Sequence, residues 1–240
     1  MENVYLSVII PAFNEEVRII KTLETVLEYL NKQEYSYELI VVNDGSADKT
    51  AEIVNGFIKY YSNIKLLNND KNMGKGYCVK KGMLEASGNY LLFSDADLST
   101  PITEVNKLLS FVTKDYSIAI GSRSLKGSEI LVHQPFYREL MGKIFNRIIK
   151  IMLFKGFIDT QCGFKLFRKE TAKQLFTLQK LNGFAFDVEV LYLALKNNYR
   201  VKEVPIKWIN SSQSKVNAIS SSLSMFCDLF KIRNYHRGRH

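Results

Sequence analysis

Short apolar runs alternate with helical stretches through the first half of the chain, and that alternation leaves little choice of architecture. Residues 4–10, 39–42, 64–67, 90–93 and 118–120 read as strands, and residues 16–30, 48–60 and 74–86 carry helical periodicity. Strands that are apolar throughout, rather than at alternate positions, are covered on both faces. The pattern therefore predicts an α/β domain with a Rossmann-like, mostly parallel sheet flanked by helices.

In such sheets a ligand binds beyond the carboxyl ends of the strands. The notable polar residues fall there: Asn14 and Glu15 after the first run, Asp44 after the second, Asp95 and Asp97 after the fourth, Arg123 after the fifth. Asp95-Ala96-Asp97 offers two carboxylates at one strand end, hard oxygen ligands suited to Mg²⁺ or Mn²⁺ bridging a diphosphate. The same residues also fit an acidic turn capped by Ser99 or Thr100 ahead of Pro101. Asp44, in Asn43-Asp44-Gly45-Ser46, suits hydrogen bonds to a base or ribose, or an Asx turn. Phe13 can line a base pocket with Glu15 beside it, while Asn14 equally suits a helix cap. Lys75, in Asn72-Met73-Gly74-Lys75-Gly76, is placed to approach a nucleotide. No GxGxxG follows the first strand and no GxxxxGK[ST] occurs, which disfavours dinucleotide and P-loop enzymes.

Beyond Arg123 the pattern changes. Residues 126–134 read as a mobile loop, 136–154 as a long helix, 163–167 as a strand, 184–195 as a helix and 201–208 as a strand. A flexible stretch at 210–215 then precedes a last helix at 216–232. The long helix aligns Tyr137, Leu140, Met141, Ile144, Phe145, Ile148, Ile149 and Met152, with Arg138, Lys143, Arg147 and Lys150 beside or opposite them. That pattern fits a core helix with a solvated basic face, or an amphipathic helix lying in a lipid headgroup region. The last helix repeats it with Val216, Ile219, Leu223, Phe226 and Phe230, followed by Lys231, Arg233, Arg237 and Arg239.

Charge narrows the partners. Thirty-three Lys and Arg against 24 Asp and Glu leave a formal net charge of +9, which points to an anionic partner. No helix-turn-helix, RNP-like or zinc motif is present and acidic residues hold the expected rim, so nucleic acid is not the expected partner. Cys78, Cys162 and Cys227 are far apart and form no CxxC, so neither zinc nor a disulfide is expected and a reduced, cytoplasmic setting is. No stretch of about 18 apolar residues occurs, so membrane contact is expected to be peripheral.

In order and spacing, residues 11–16, 43–46, 72–76, 95–101 and Gly121-Ser122-Arg123 resemble the inverting family 2 glycosyltransferases of the GT-A fold. Asp159-Thr160-Gln161-Cys162-Gly163-Phe164-Lys165-Leu166-Phe167 and Phe186-Asp187-Val188-Glu189-Val190-Leu191 resemble the dolichyl-phosphate glucosyltransferases, with polyprenyl-phosphate mannose synthases similar. The resemblance spans roughly residues 4–210. It implies a GT-A domain over 1–215, a nucleotide-sugar half to about 125 and an acceptor half beyond it, then an amphipathic helix and basic tail at 216–240. The N-terminal anchor familiar in the eukaryotic glucosyltransferases is expected to be missing.

The implied reaction moves a sugar to a dolichyl or other polyprenyl phosphate at the cytosolic face of a membrane. UDP-glucose is the expected donor, with GDP-mannose or a sugar-hydroxyl acceptor as alternatives. Ser99 stands where mannose synthases commonly carry Gln, which favours the glucosyl reading. Pro11, Phe13, Glu15, Asp44, Lys75 and Asp95 are implied to contact the nucleotide-sugar, and Asp95 and Asp97 the divalent metal. Arg123 and Arg138 are implied to hold the acceptor phosphate, with Lys165 beside them. Asp187 stands where related enzymes place a base, and with a phosphate acceptor it is expected to position the sugar or order Lys165.

Overall fold

A computed structural model describes residues 4–132, 136–210 and 218–237. The sequence runs β1 (Leu6–Ala12), α1 (Ile19–Leu30), β2 (Tyr37–Asn43), α2 (Thr50–Ile58), β3 (Ile64–Asn68), α3 (Lys75–Glu85) and β4 (Tyr90–Ser94). A single 3₁₀ turn (Ile102–Glu104), α4 (Val105–Val112), β5 (Ile118–Ser122), β6 (Glu129–Val132) and α5 (Phe136–Met152) follow. The chain then forms β7 (Phe164–Arg168), α6 (Lys169–Leu178), α7 (Phe186–Lys196), β8 (Val201–Pro205), β9 (Lys207–Ile209) and α8 (Ala218–Tyr235).

Seven strands make one sheet in the order β3-β2-β1-β4-β7-β5-β8. All its pairings are parallel except those of β7, which runs antiparallel to both β4 and β5. Successive side chains along a strand face opposite layers. Val8 and Ile10 accordingly join a core with α1 and α4, while Ile9 joins a second core with α3, α6 and α7. Because β7 is reversed, its first residues reach the rim where β1, β2, β4 and β5 end; Phe164 lies opposite Ser94. That reversal brings Gly163 to the rim and Lys165 just behind it.

Several expectations need correction. Residues 126–134 are not a free loop throughout: Glu129–Val132 form β6, which pairs with β9 in a small parallel sheet. The run expected as one strand at 201–208 is two, because Pro205 ends β8 in the main sheet and β9 belongs to the small one. Helices α4 and α6 were not anticipated; both seal their apolar sides against the sheet. Residues 211–215 of the expected flexible stretch lie outside the described residues.

The apolar stripe of α5 divides. Phe145 and Ile149 are buried with Val188 of α7 and Leu229 and Ile232 of α8, whereas Leu140 and Ile144 are exposed. On α8 the described part of the expected face, Phe226 and Phe230, lies in solvent as an edge-to-face pair with centroids 5.4 Å apart, while Leu229 and Ile232 are sealed; Val216 and the side chains of Ile219 and Leu223 lie outside the described residues. The far end of α8 is fastened by His236, whose ring nitrogen Nε2 lies 2.7 Å from the buried Glu189 carboxylate of α7.

Candidate active site

The rim at the carboxyl ends of β1, β2, β4 and β5 is built by backbone turns that the local sequence dictates. After β1 the chain turns through Asn14 at φ 54°, and the Asn14 side chain accepts from the Ala47 N–H while its own N–H donates to Ser46. Asn tolerates this left-handed conformation better than most residues. Phe13 is left partly exposed at the rim, next to Pro11 and Ala12 at the end of β1. Glu15 is engaged by Arg18, whose Nε and Nη2 donate to both carboxylate oxygens at 2.7 and 2.6 Å.

Asp44 is buried and serves the protein rather than open solvent. Its oxygens accept from Asn69 Nδ2 and from the N–H groups of Met73 and Gly74, at 2.8 to 2.9 Å. This grip fixes the Gly-rich loop that starts α3. Gly74 sits at φ 99°, and a Cβ there would meet the Asn182 carbonyl at 2.5 Å, so the position requires glycine. The loop delivers Lys75, whose ammonium is 2.5 Å from Asp95 Oδ1.

Asp95 leaves β4 with its N–H donated to the Gly163 carbonyl. Gly163 lies so close that any Cβ would collide with the Asp95 carboxylate. Asp97 accepts the Ser99 N–H at 2.9 Å, and the turn between them passes through Leu98 at φ 46°. Burial pushes the Asp97 carboxyl up, and neighbouring Asp95 pushes it further. Burial opposes the Lys75 charge, but Asp95, Asp187 and Asp97 more than offset it and hold its pKa above the ordinary value.

These observations test the implied metal. Two crowded carboxylates, one raised by the other and one touching a resident ammonium, form a site that favours a cation. Among the described residues no group of three His, Cys, Asp or Glu side chains converges. The protein's share would be Asp95 and Asp97, leaving other positions to diphosphate oxygens and water, the arrangement Mg²⁺ favours. The residues fit.

Beyond the end of β5 Arg123 is clamped. Its Nε and Nη2 donate to Asp159 at 2.7 and 2.8 Å, its N–H donates to the same carboxylate, and its guanidinium lies over Trp208. Burial opposes the charge on Asp159, but Arg123 outweighs it and holds the carboxyl below its ordinary range. Two N–H groups of the fork are used, and the side chain still reaches solvent. Arg138 lies in the first turn of α5, and its side chain is outside the described residues.

Lys165 does not line the rim. It is buried, and its ammonium donates to the Cys162 carbonyl and to Asp187 Oδ1, both at 2.6 Å. Register explains this: Lys165 stands opposite Phe93 and Ile120, whose side chains face α7. Asp187, in the first turn of α7, is buried too; burial pushes its carboxyl up although Lys165 and Lys75 pull the other way. The structure thus joins Asp95, Asp97 and Lys75 in one cluster, places Lys165 and Asp187 just behind it, and sets Arg123 just beyond the end of β5, separated from β4 by β7.

Three residues at or near the site escaped sequence reasoning. Asp159 had only its place at the head of the same motif, since nothing in its spacing ties it to Arg123. Gly163 had only its place in the motif. Arg18 carried one: a cation at a helix N-terminus opposes the helix dipole. Its guanidinium is held charged by Glu15, with burial opposing, and Asp97 and Asp95 add to the effect.

The sequence profile described as Glycosyl transferase family 2 matches residues 7–176. The chain is 40% identical over 245 residues to a dolichyl-phosphate beta-glucosyltransferase of Dictyostelium discoideum, covering 97% of this chain and 75% of that protein. It is 34% identical over 241 residues to the Homo sapiens protein of the same name, covering 95% and 74%. Glucosyl-3-phosphoglycerate synthase from Mycobacterium tuberculosis, solved with Mn²⁺, UDP and glucosyl-3-phosphoglycerate, superposes with a TM-score of 0.67 at 16% identity, covering 95% and 80%. The mannosyltransferase PcManGT of Pyrobaculum calidifontis, solved with GDP-Man and Mn²⁺, gives 0.64 at 15% identity, covering 98% and 65%. At such identities these two structures establish the fold, which is GT-A.

Proposed function

The chain belongs to glycosyl transferase family 2, and on that premise we propose that it transfers glucose from UDP-glucose to the phosphate of a dolichyl or related polyprenyl carrier. The names of its relatives support the acceptor and the sugar. One observation carries the reading from the geometry: the candidate base is locked inside, while Lys75, Asp95 and Arg123 at the rim still reach solvent. Asp187 is committed to Lys165 at 2.6 Å and is buried. A sugar hydroxyl would need such a base. A phosphate monoester needs none, because with a second pKa near 6 it is already largely dianionic at neutral pH.

The residues then divide the work. Phe13 and the turn held by Asp44 form the nucleotide side, and Lys75 can pass from Asp95 to a diphosphate oxygen. A divalent cation held by Asp95 and Asp97 would neutralise charge developing on the departing nucleoside diphosphate. Arg123, oriented by Asp159, offers its remaining N–H donors to the acceptor phosphate, and Arg138 of α5 is the second candidate. Arginine's planar fork suits phosphate oxygens. Lys165 acts on the site from behind, fixing Asp187 and the start of α7.

No helix among the described residues is long and apolar enough to cross a membrane. We place the enzyme at the cytosolic face of a membrane, held peripherally, where a lipid-linked phosphate meets a soluble nucleotide-sugar. The test is a transfer assay with labelled UDP-glucose or GDP-mannose, Mg²⁺ or Mn²⁺, and polyprenyl phosphate, counting label in the organic phase. Label from UDP-glucose is the expected result. Label from GDP-mannose alone would make it a mannose synthase, and organic-phase label from neither donor would overturn the acceptor.

A further inference from the structure

Where α5 hands over to β7, residues on the last turns of the helix and the segment behind it border an open cleft of about 730 Å³. Arg147, Lys150 and Lys155 line it together with Ile151, Phe157 and Ile158, and no carboxylate does. None of the three cations forms an ion pair with a described residue. The N–H groups of Ile158 and Asp159 are already donated to Glu203, so an anion in the cleft would be held by side-chain cations.

A dissolved anion would explain the cations but not their surroundings. Ile151 is 77% exposed and Ile158 42%. Along α5, Leu140, Ile144, Arg147 and Ile151 follow each other at spacings of four, three and four, which puts them in one exposed row. The helix already buries a separate face through Phe145 and Ile149. A second apolar row beside unpaired cations is the pattern of an interfacial helix. We propose that this cleft seats the anionic headgroup of a membrane phospholipid, with Ile151 and Ile158 entering the acyl boundary. The inference rests on the lipid-carrier reading only in placing the enzyme at a membrane, because the headgroup bound here is not the sugar acceptor.

The test is flotation of the full chain with phosphatidylcholine vesicles, with and without about one-third phosphatidylglycerol. Binding is expected only with the anionic lipid, and it should weaken as salt is raised. The triple variant Arg147→Gln, Lys150→Gln, Lys155→Gln should bind about a hundredfold more weakly, the loss of three surface cations. A separate Ile151→Ser, Ile158→Ser variant should also lose binding, at unchanged melting temperature. Transfer to a short-chain, water-soluble polyprenyl phosphate without vesicles should survive in the triple variant. Vesicle binding at the wild-type level in that variant would overturn the proposal. So would loss of transfer to the soluble acceptor, which would make the cleft part of the acceptor site. If the wild type transferred sugar to no lipid yet its vesicle binding followed these variants, the docking site would stand and the acceptor reading alone would fail.

Discussion

Lys75–Asp95 and Lys165–Asp187 are alike in chemistry, and both ammonium groups lie over the Phe93 ring, at 5.8 and 5.4 Å. They differ in access to water. The first pair keeps 21% and 34% of its side-chain surface exposed, the second 1% and 5%. A pair that water reaches can exchange partners at small cost, since solvent screens each charge when the other leaves. A sealed pair cannot, because whichever charge stays behind has lost its hydration and its partner. The rim therefore holds a replaceable counter-ion, and the buried layer behind it a fixed strut.

The largest expected effect tests the strut. Lys165→Met should destabilise the chain by about 3–5 kcal/mol in denaturant titrations, the usual result of stranding a buried carboxylate. The double variant Lys165→Met, Asp187→Leu should recover most of it, and a double variant as unstable as the single one would show that the pair is not the reason. Next comes the rim. Asp97→Ala should slow transfer about a thousandfold or more, a loss of several kcal/mol at the transition state. Its unfolding transition should stay within about 1 kcal/mol of wild type. Wild-type turnover with an intact fold would remove Asp97 from the metal assignment.

Lys75→Gln sharpens the contrast, because the same kind of substitution should here be mild for folding, within about 1 kcal/mol. Removing the competing ammonium should tighten Mn²⁺ binding to the nucleotide-free protein by about three- to tenfold, read by paramagnetic resonance. Unchanged or weaker Mn²⁺ binding would mean that Lys75 does not stand in for the metal.

The smallest effect concerns an intermediate pair, in which Glu38 is sealed and its partner Lys65 is half-exposed. Burial alone would raise the Glu38 carboxyl, but hydrogen bonds from Lys65, Ser87 and Ser7 bring it down to about 2. A folded value below the unfolded one, about 4.3, means that this stabilisation is complete above roughly pH 5 and lost as the pH falls toward 2. Glu38→Gln should flatten that acid limb by roughly 1 kcal/mol. An acid limb identical to wild type would assign the loss to other carboxylates.

Much of the first half of the chain was legible, for a definite reason. Parallel strands sealed on both faces are unbroken apolar runs, and their ends are where polarity returns, so Glu15, Asp44, Asp95 and Arg123 stood out. The half beyond Arg123 was harder. Strand β6 is four residues long and largely exposed, so it lacks the apolar signature of a buried strand. The split at Pro205 looks in sequence like one strand, because only the pairing partners differ on its two sides. On α8 the masking is subtler: Phe226 and Leu229 are both apolar, and only packing against α5 and α7 decided which is sealed.

The amino-acid sequence by itself determined the alternation of strands and helices, the fold class and the carboxylates and cations at the strand ends, since these follow from local pattern and turn chemistry. Which charge meets which was decided by the tertiary structure alone. Arg123 finds Asp159 across 36 residues, Lys165 finds Asp187 across 22, and Glu189 finds His236 across 47. Those meetings depend on β7 running backwards between β4 and β5 and on α8 returning to α7, and long-range register of that kind leaves no trace in the spacing of residues along the chain.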